Sequence, residues 1–104
     1  MDYTEWIAGR ISQLRIQRGV SARDMSLSLG QSESYINKIE NKRIQPSMQG
    51  FLYICEYLEI SPKEFFDTDI SAPLKVRQIA AEAERLTPEQ ADHVLQIIRD
   101  ITKK

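Results

Sequence analysis

A short segment of the chain concentrates side chains that donate and accept hydrogen bonds. Within residues 32–40, Ile36 and Ile39 lie three positions apart, which is the spacing of one buried face of a helix. The positions left on the outer face are almost all hydrogen-bonding types: Glu33, Ser34, Tyr35, Asn37 and Lys38. A helix fits the major groove of B-DNA, where such side chains bond to base edges. The segment therefore predicts recognition of DNA through hydrogen bonds.

A second helix and a tight turn are expected to hold this face in place. Ser21 is a good N-cap for a helix that buries Met25 and Leu29. Gly30 follows at the point where a chain leaving a helix often needs a left-handed φ, which glycine adopts at little cost. Ser32 is then expected to cap the outward-facing helix. Two helices joined in this way form a helix-turn-helix, whose second helix presents its N-terminal residues to DNA.

The other periodic segments are also helical, and no stretch alternates apolar and polar residues long enough for a convincing strand. We therefore predict an all-α fold, with a five-helix domain in residues 1–67 and a two-helix extension in residues 74–104. Helix 1 is expected over residues 4–18, with Gly19 ending it. Helix 4 is expected to begin after the cap Ser47 and to bury four apolar side chains: Phe51, Leu52, Cys55 and Leu58.

Two capping boxes mark further helix starts. The sequence from Ser61 to Glu64 opens helix 5, and the sequence from Thr87 to Gln90 opens the last helix. That last helix lines up apolar residues at helical spacing: Ala91, Val94, Leu95, Ile98 and Ile101. Such a stripe must be covered by something. Two hypotheses stay open, because the extension either makes the protein a homodimer or folds back on its own domain as a brace.

The charge of the chain is unevenly divided. Residues 1–47 carry seven basic and five acidic residues, a net charge of +2, whereas residues 48–104 carry seven basic and ten acidic residues, a net charge of −3. Phosphate contacts dominate affinity for DNA, so the basic part is where DNA is expected to dock. An ordinary mixed surface is the alternative, and charge alone does not choose between the two.

The run from Arg15 to Leu58 resembles the phage repressor and Cro-like helix-turn-helix family, often called the XRE family. The residues that carry the resemblance are the segments 15–19, 32–42 and 46–47, together with Leu58. The resemblance covers about residues 7–66. It implies a five-helix, lambda-repressor-like DNA-binding domain and a transcription regulator, most simply a repressor bound to a palindromic operator as a dimer. The chain departs from the family at Ala22, where glutamine is usual.

The resemblance also implies roles for individual residues. Arg15 and Glu40 are expected to form an internal ion pair, with a phosphate contact by Arg15 as the weaker hypothesis. The residues expected at double-stranded DNA are Arg23, Ser32, Glu33, Ser34, Tyr35, Asn37, Lys38, Lys42 and Arg43. Among these, the first choices for base edges are Ser34, Tyr35 and Lys38, and the expected phosphate contacts are Lys42, Arg43 and Arg23.

Two of these side chains have alternative interpretations. Glu33 either accepts a hydrogen bond from the N4 amino group of cytosine or simply favours the helix N-terminus through the macrodipole. Tyr35 either contacts DNA or packs against helix 2, since an amphipathic tyrosine is often half-buried.

Other function classes have less support. A protein-interaction module with weak DNA binding, such as an antitoxin-like partner or a regulator of another regulator, is the alternative that the acidic balance and Ala22 favour. An enzyme is not indicated, because the single histidine, His93, has no cysteine or second histidine at ligand spacing. We therefore predict no catalytic residue, no metal and no cofactor, and a small-molecule effector is not indicated.

The single cysteine and the apolar runs bear on the compartment. Cys55 cannot form an internal disulfide and is interpreted as a buried small hydrophobe rather than a reactive thiol. The sequence has no apolar run near the roughly 18 residues that span a bilayer, and its first residues lack the features of a signal peptide. A cytoplasmic protein without membrane contact is expected.

Overall fold

The computed structural model describes residues 2–67 and 72–103. The described residues form seven α-helices: α1 (Tyr3–Arg18), α2 (Ala22–Ser28), α3 (Tyr35–Glu40), α4 (Met48–Tyr57), α5 (Pro62–Phe66), α6 (Pro73–Ala83) and α7 (Pro88–Thr102). No strand occurs among them, which confirms the all-α prediction. The chain divides into two compact units, Met1–Pro73 and Leu74–Lys104. The first unit contains helices α1 to α5.

Local capping explains where most of the helices begin. The Ser21 and Ser47 side chains accept hydrogen bonds from the backbone N–H groups of Asp24 and Gly50, as expected of N-caps. Both predicted capping boxes are formed, at Ser61 with Glu64 and at Thr87 with Gln90. Asp2 is an additional cap, which accepts from the Glu5 N–H at 3.2 Å.

Glycines end α1 and follow α2 in the predicted way. Gly19 and Gly30 both have φ of +73°, in the left-handed region that side chains with a Cβ rarely adopt. The Gly19 N–H donates to the Ile16 carbonyl at 3.0 Å, and the Gly30 N–H donates to the Leu27 carbonyl at 3.0 Å. The chain is therefore turned sharply at both sites, and the second turn leads into the segment before α3.

The start of α3 differs from the prediction. The helix begins at Tyr35, and Ser34 occupies its cap position without a side-chain capping bond, so the prediction that Ser32 caps this helix is wrong. A turn precedes the helix, closed by a 3.0 Å hydrogen bond from the Tyr35 N–H to the Ser32 carbonyl. This turn contains residues that were predicted to be helical from the spacing of Ile36 and Ile39.

The core of the first unit draws on all five helices. Its buried apolar side chains are Ala8, Ile11, Leu14, Met25, Ile36, Ile39, Ile54, Cys55, Leu58, Ile60 and Phe65. The prediction for α4 was wrong at one position, because Leu52 is 42 % exposed and Ile54 is buried instead. Residues 51, 54, 55 and 58 lie at i, i+3, i+4 and i+7 and so form one helical face, which leaves Leu52 beside it.

A buried arginine and an aromatic cluster hold α5 against α1. Arg10 is only 6 % exposed, and its Nε and Nη2 atoms each donate at 2.8 Å, to the carbonyls of Phe65 and Glu64. Burial lowers the pKa of this guanidinium, and Asp67 opposes that effect. Beside it, the Trp6 ring stacks on Phe66 with centroids 5.6 Å apart. These contacts satisfy carbonyl groups at the end of α5 that the helix itself leaves free.

The second unit buries little of its apolar surface. No residue of α7 is buried, and several large apolar side chains of α6 and α7 are exposed: Val76, Ile79, Leu95, Ile97, Ile98 and Ile101. These side chains are therefore left uncovered within the described part of the chain. None of the described helices is both long enough and apolar enough to cross a membrane.

Candidate nucleic-acid interface

The position of α3 is set by a serine of α2. Ser26 is fully buried, and its hydroxyl oxygen accepts a 2.9 Å hydrogen bond from the Ile36 N–H while donating at 2.7 Å to the Ala22 carbonyl. The Ile36 N–H lies in the first turn of α3, where no helical carbonyl is available to it. Ser26 therefore supplies, from another helix, the capping function that Ser32 was predicted to supply. This role of Ser26 was not predicted from the sequence, because a buried serine does not change the helical spacing of the apolar residues around it.

The far end of α3 is fixed by an ion pair with α1. The Arg15 Nε and Nη2 atoms lie 2.7 and 3.0 Å from the two carboxylate oxygens of Glu40, and Arg15 Nη1 donates to the Val20 carbonyl at 2.9 Å. Side-chain exposures of 17 % and 13 % show that the pair is largely removed from water. The hydrogen bonds that Arg15 donates to Glu40 raise the pKa of Arg15. The Arg15 guanidinium thus makes its hydrogen bonds inside the domain.

The front of the outward face carries a second, exposed ion pair. Arg23 Nε of α2 lies 3.2 Å from a carboxylate oxygen of Glu33, and both side chains are about two-thirds exposed. An exposed pair of this kind contributes only about 0 to 1 kcal/mol, so either partner can exchange it for DNA at little cost. The pair brings together one residue expected at phosphates and one expected at bases. Ser32, between the helices, is exposed.

Tyr35 is half-buried, and its hydroxyl is directed to the first turn of α4. The hydroxyl oxygen lies 2.8 Å from the place that a Cβ atom on Gly50 would occupy. Burial raises the pKa of this phenol. Tyr35 was predicted to face outward, with packing on helix 2 as the alternative; the structure instead places its hydroxyl against α4. The absence of a side chain at Gly50 makes that approach possible.

The remaining polar residues of α3 and its cap differ in which of their hydrogen-bonding groups are unpaired. Asn37 and Lys38 are exposed, and Ser34 is half-buried. The Asn41 side-chain amide donates at 2.9 Å to Asn37 Oδ1, which leaves the Asn37 amide N–H groups as its available donors. Lys38 has no ion-pair partner among the residues that the structure describes. Its ammonium group and the Ser34 hydroxyl are therefore open to an incoming ligand.

Two basic residues follow α3 in an unusual turn. Lys42 has φ of +63°, a left-handed value that is uncommon outside glycine, and its Nζ atom lies 3.9 Å from Glu5. The turn is closed by a 2.9 Å hydrogen bond from the Arg43 N–H to the Lys38 carbonyl. Arg43 is exposed and has no ion pair within the described part of the chain. The left-handed turn thus places two cations next to the end of α3.

The comparisons with known proteins match this geometry. A family model described as a helix-turn-helix domain matches residues 8–69. The chain belongs to the helix-turn-helix domain family. The match includes α2, α3 and the turn between them, and it supports a DNA-binding regulator. Searches of curated proteins and of solved structures found no significant match.

The helix-turn-helix domain uses much of its positive charge internally. Arg10 binds carbonyl groups of α5, Arg15 pairs with Glu40, and Arg18 donates to the Tyr57 carbonyl at 2.9 Å with its guanidinium over the Tyr57 ring. The exposed basic residues of the first 47 positions are Arg18, Arg23, Lys38, Lys42 and Arg43, and of these Arg18 already donates to a backbone carbonyl. The net charge of this segment therefore overstates the charge available to phosphates. The described residues contain no group of acidic, histidine or cysteine side chains that could hold a metal ion.

Proposed function

We propose that the protein is a sequence-specific DNA-binding transcription regulator of the phage repressor and Cro-like type. The observation that carries the proposal is that α3 is held at both ends. Ser26 fixes its first turn, and the Arg15–Glu40 pair fixes its last turn. Its outer face keeps unpaired hydrogen-bonding groups. A surface held at both ends is what sequence reading requires, because base contacts depend on position. Repression at a palindromic operator is its simplest mode of action.

Base edges are read by the side chains with free hydrogen-bonding groups. In this proposal, the Ser34 hydroxyl and Lys38 ammonium contact base edges, and the Asn37 amide donates to acceptors such as guanine O6 or N7. Glu33 accepts from a cytosine amino group if DNA draws Arg23 away to a phosphate. Tyr35 acts mainly as a support against α4, since its hydroxyl is directed there.

Phosphates are held by Lys42, Arg43 and Arg23. The first two lie in the turn after α3, and Arg23 lies on α2, so the three cations flank the reading face along the chain. With about −0.9 in log K per log salt for each phosphate contact, these three cations give a salt slope of roughly −2.7 per subunit. This is modest for a DNA binder.

The second unit, α6 and α7, makes the protein a homodimer in this proposal. Its support is the exposure of an apolar stripe that includes Leu95, Ile98 and Ile101 at 43 %, 44 % and 76 %. Such a stripe is stable in water when a second copy covers it. Two recognition helices then read half-sites about 34 Å apart, as two-fold DNA readers do.

Selection from a random duplex pool tests sequence reading directly. The expected result is an enriched inverted repeat, whose binding Ser34→Ala and Lys38→Ala each weaken by about 1 to 3 kcal/mol with relaxed preference at one base pair. Ser28→Ala is a matched control, because Ser28 is an exposed serine at the end of α2 and is not one of the proposed DNA contacts. A pool without enriched sequences would contradict the proposal and favour a protein-interaction module. That module is the second candidate function because the Arg23–Glu33 pair is exposed and the accessible positive charge is small.

Sedimentation of the full chain tests the dimer. We expect a dimer at micromolar concentration, and Ile98→Glu should convert it to a monomer because a charge would enter the apolar stripe. Gln96→Glu is the matched control, since it adds the same charge to an already polar position of α7. A monomeric parent protein would exclude dimerisation through this unit while leaving DNA reading by α3 untouched.

A further inference from the structure

A concave apolar pocket opens on the first unit, next to the exit of α3. It has a volume of about 390 Å³ and is lined by α1 at Ile7, by the loop after α3 at Ile44, by α4 at Phe51 and Leu52, and by α5 at Phe66. Small-molecule sites are usually concave, largely apolar and about 300 to 1,000 Å³ in volume. The pocket is at the lower end of that range, and its walls come from five segments, since Ile39 of α3 also lines it.

The lining limits the chemistry of an occupant. None of the residues that line the pocket within the described part of the chain is charged. A charged ligand would therefore lose its hydration without gaining a partner, which is costly. The polar residues of the lining are Thr4, Gln45 and Ser47. Gln45 Nε2 donates to Thr4 Oγ1 at 2.8 Å, and the Gln45 Oε1 atom has no hydrogen-bond partner among the described residues. An uncharged, mainly apolar molecule with one hydroxyl group, which can both donate and accept, fits this arrangement.

We propose that the pocket binds a small, uncharged, mainly apolar ligand, and that the ligand weakens the binding of DNA. The coupling follows from the pocket wall. Ile44 and Gln45 directly follow Lys42 and Arg43, the proposed phosphate contacts, and the Thr4–Gln45 hydrogen bond ties this loop to α1. A ligand hydroxyl whose oxygen accepts from Gln45 Nε2 in place of Thr4 Oγ1 breaks that bond and releases the loop. DNA must then order the loop again, so the two ligands oppose each other.

Methyl NMR with 1-octanol as the probe tests binding without reference to DNA. We expect saturable shifts of the Ile7, Ile44 and Leu52 methyl groups, while Ile54, fully buried elsewhere in the core, and Ile98 of α7 stay unchanged. Octanoate and octylammonium, which carry the same chain with a charge, should bind at least about tenfold more weakly because the lining offers no counter-charge.

Leu52→Gln and Tyr53→Gln form a matched pair of variants. Both positions are exposed and adjacent on α4, but only Leu52 lines the pocket. Leu52→Gln should weaken 1-octanol binding by about fivefold through loss of apolar contact, and Tyr53→Gln should leave it unchanged. Equal effects of the two variants, shifts that never saturate, or equal binding of the charged probes would overturn the ligand site. If the NMR shifts of the pocket methyl groups changed with protein concentration in the absence of probe, the pocket would instead be a contact surface for a second copy of the chain.

The effect on DNA is a separate measurement and rests on the proposed function. 1-Octanol should lower the duplex affinity of the parent protein severalfold, and Leu52→Gln should need about fivefold more 1-octanol for the same effect. Unchanged affinity in the presence of confirmed probe binding would overturn the coupling. Failure to bind any duplex, with normal methyl shifts, would contradict the proposed function and leave the ligand site standing.

Discussion

Replacing Glu40 by alanine should strongly destabilise the helix-turn-helix domain. The substitution removes two short hydrogen bonds, at 2.7 and 3.0 Å, and leaves the Arg15 guanidinium with the Val20 carbonyl as its remaining acceptor of those described. Because the Arg15 side chain is only 17 % exposed, water cannot fully replace the lost carboxylate. Breaking a well-buried pair costs about 3 to 5 kcal/mol, and the partial exposure here lowers the expectation to roughly 2 to 4 kcal/mol.

Trp6 provides a specific assay for this effect. It is the single tryptophan of the chain and stacks on Phe66, so its fluorescence follows the unfolding of the first unit. For a domain of this size, the expected loss of stability lowers Tm by roughly 10 to 25 °C. Glu40→Gln should cost less, because the amide oxygen still accepts one hydrogen bond.

An exposed ion pair provides the control. Glu33 of the same unit lies 3.2 Å from Arg23, and both side chains are about two-thirds exposed. Glu33→Ala should change stability by no more than about 0.5 kcal/mol, since exposed pairs contribute little. If Glu40→Ala melted at the parent temperature, or if both alanine variants had equal effects, the argument that burial makes the Arg15–Glu40 pair important would be refuted.

Three further predictions concern buried groups of the same domain. Ser26→Ala should lower the free energy of unfolding by about 1 to 3 kcal/mol, because the Ile36 N–H loses its buried acceptor; equal urea midpoints would contradict this. Gly50→Ala should lower the stability of the domain, because the new Cβ would meet the Tyr35 hydroxyl, whereas in a Tyr35→Phe background it should raise stability by about 0.5 to 1 kcal/mol. A double-mutant cycle that shows no coupling between the two positions would refute the contact. Burial raises the pKa of Cys55 to about 11, so the neutral thiol stabilises the fold below the unfolded pKa of about 8.5, and this contribution should be lost as pH rises toward 11. Urea midpoints of the parent and Cys55→Ala that stay parallel over that range would argue against it.

Features that depend on neighbouring residues were predictable from the sequence. The caps Ser21, Ser47 and Ser61 act within three residues of themselves, and Gly19 and Gly30 act through their own φ, so a pattern in the chain is sufficient to identify them. The all-α fold follows from the same local signals, because each helix begins and ends through groups close in the sequence.

Features that depend on distant residues were not predictable in this way. The start of α3 is determined by Ser26 of α2, ten positions before Ile36, so the good capping residue type at Ser32 gave a wrong prediction. Leu52 and Ile54 are both apolar, and only the packing of α4 on other helices decides which one is buried. The pocket beside α3 is lined from Thr4 to Phe66, and no single stretch of sequence carries a signal for it.

The orientation of Tyr35 shows the same limit at the candidate interface. Its position on α3 suggested an outward side chain, yet its hydroxyl lies beside α4 because Gly50 leaves room there. The accessible charge was also overestimated from the sequence, since Arg10 and Arg18 bind backbone carbonyls that periodicity cannot reveal.

The salt dependence of duplex binding tests the central claim most directly. On the selected duplex, log K should fall with log salt by roughly 2.7 per subunit, and Arg43→Ala should reduce that slope by about 0.9, the contribution of one phosphate contact. Lys75→Ala, which removes an exposed cation from α6, should leave the slope unchanged. Binding that is insensitive to salt, or a slope that Lys75→Ala reduces and Arg43→Ala does not, would contradict DNA reading by α3 and the turn that follows it.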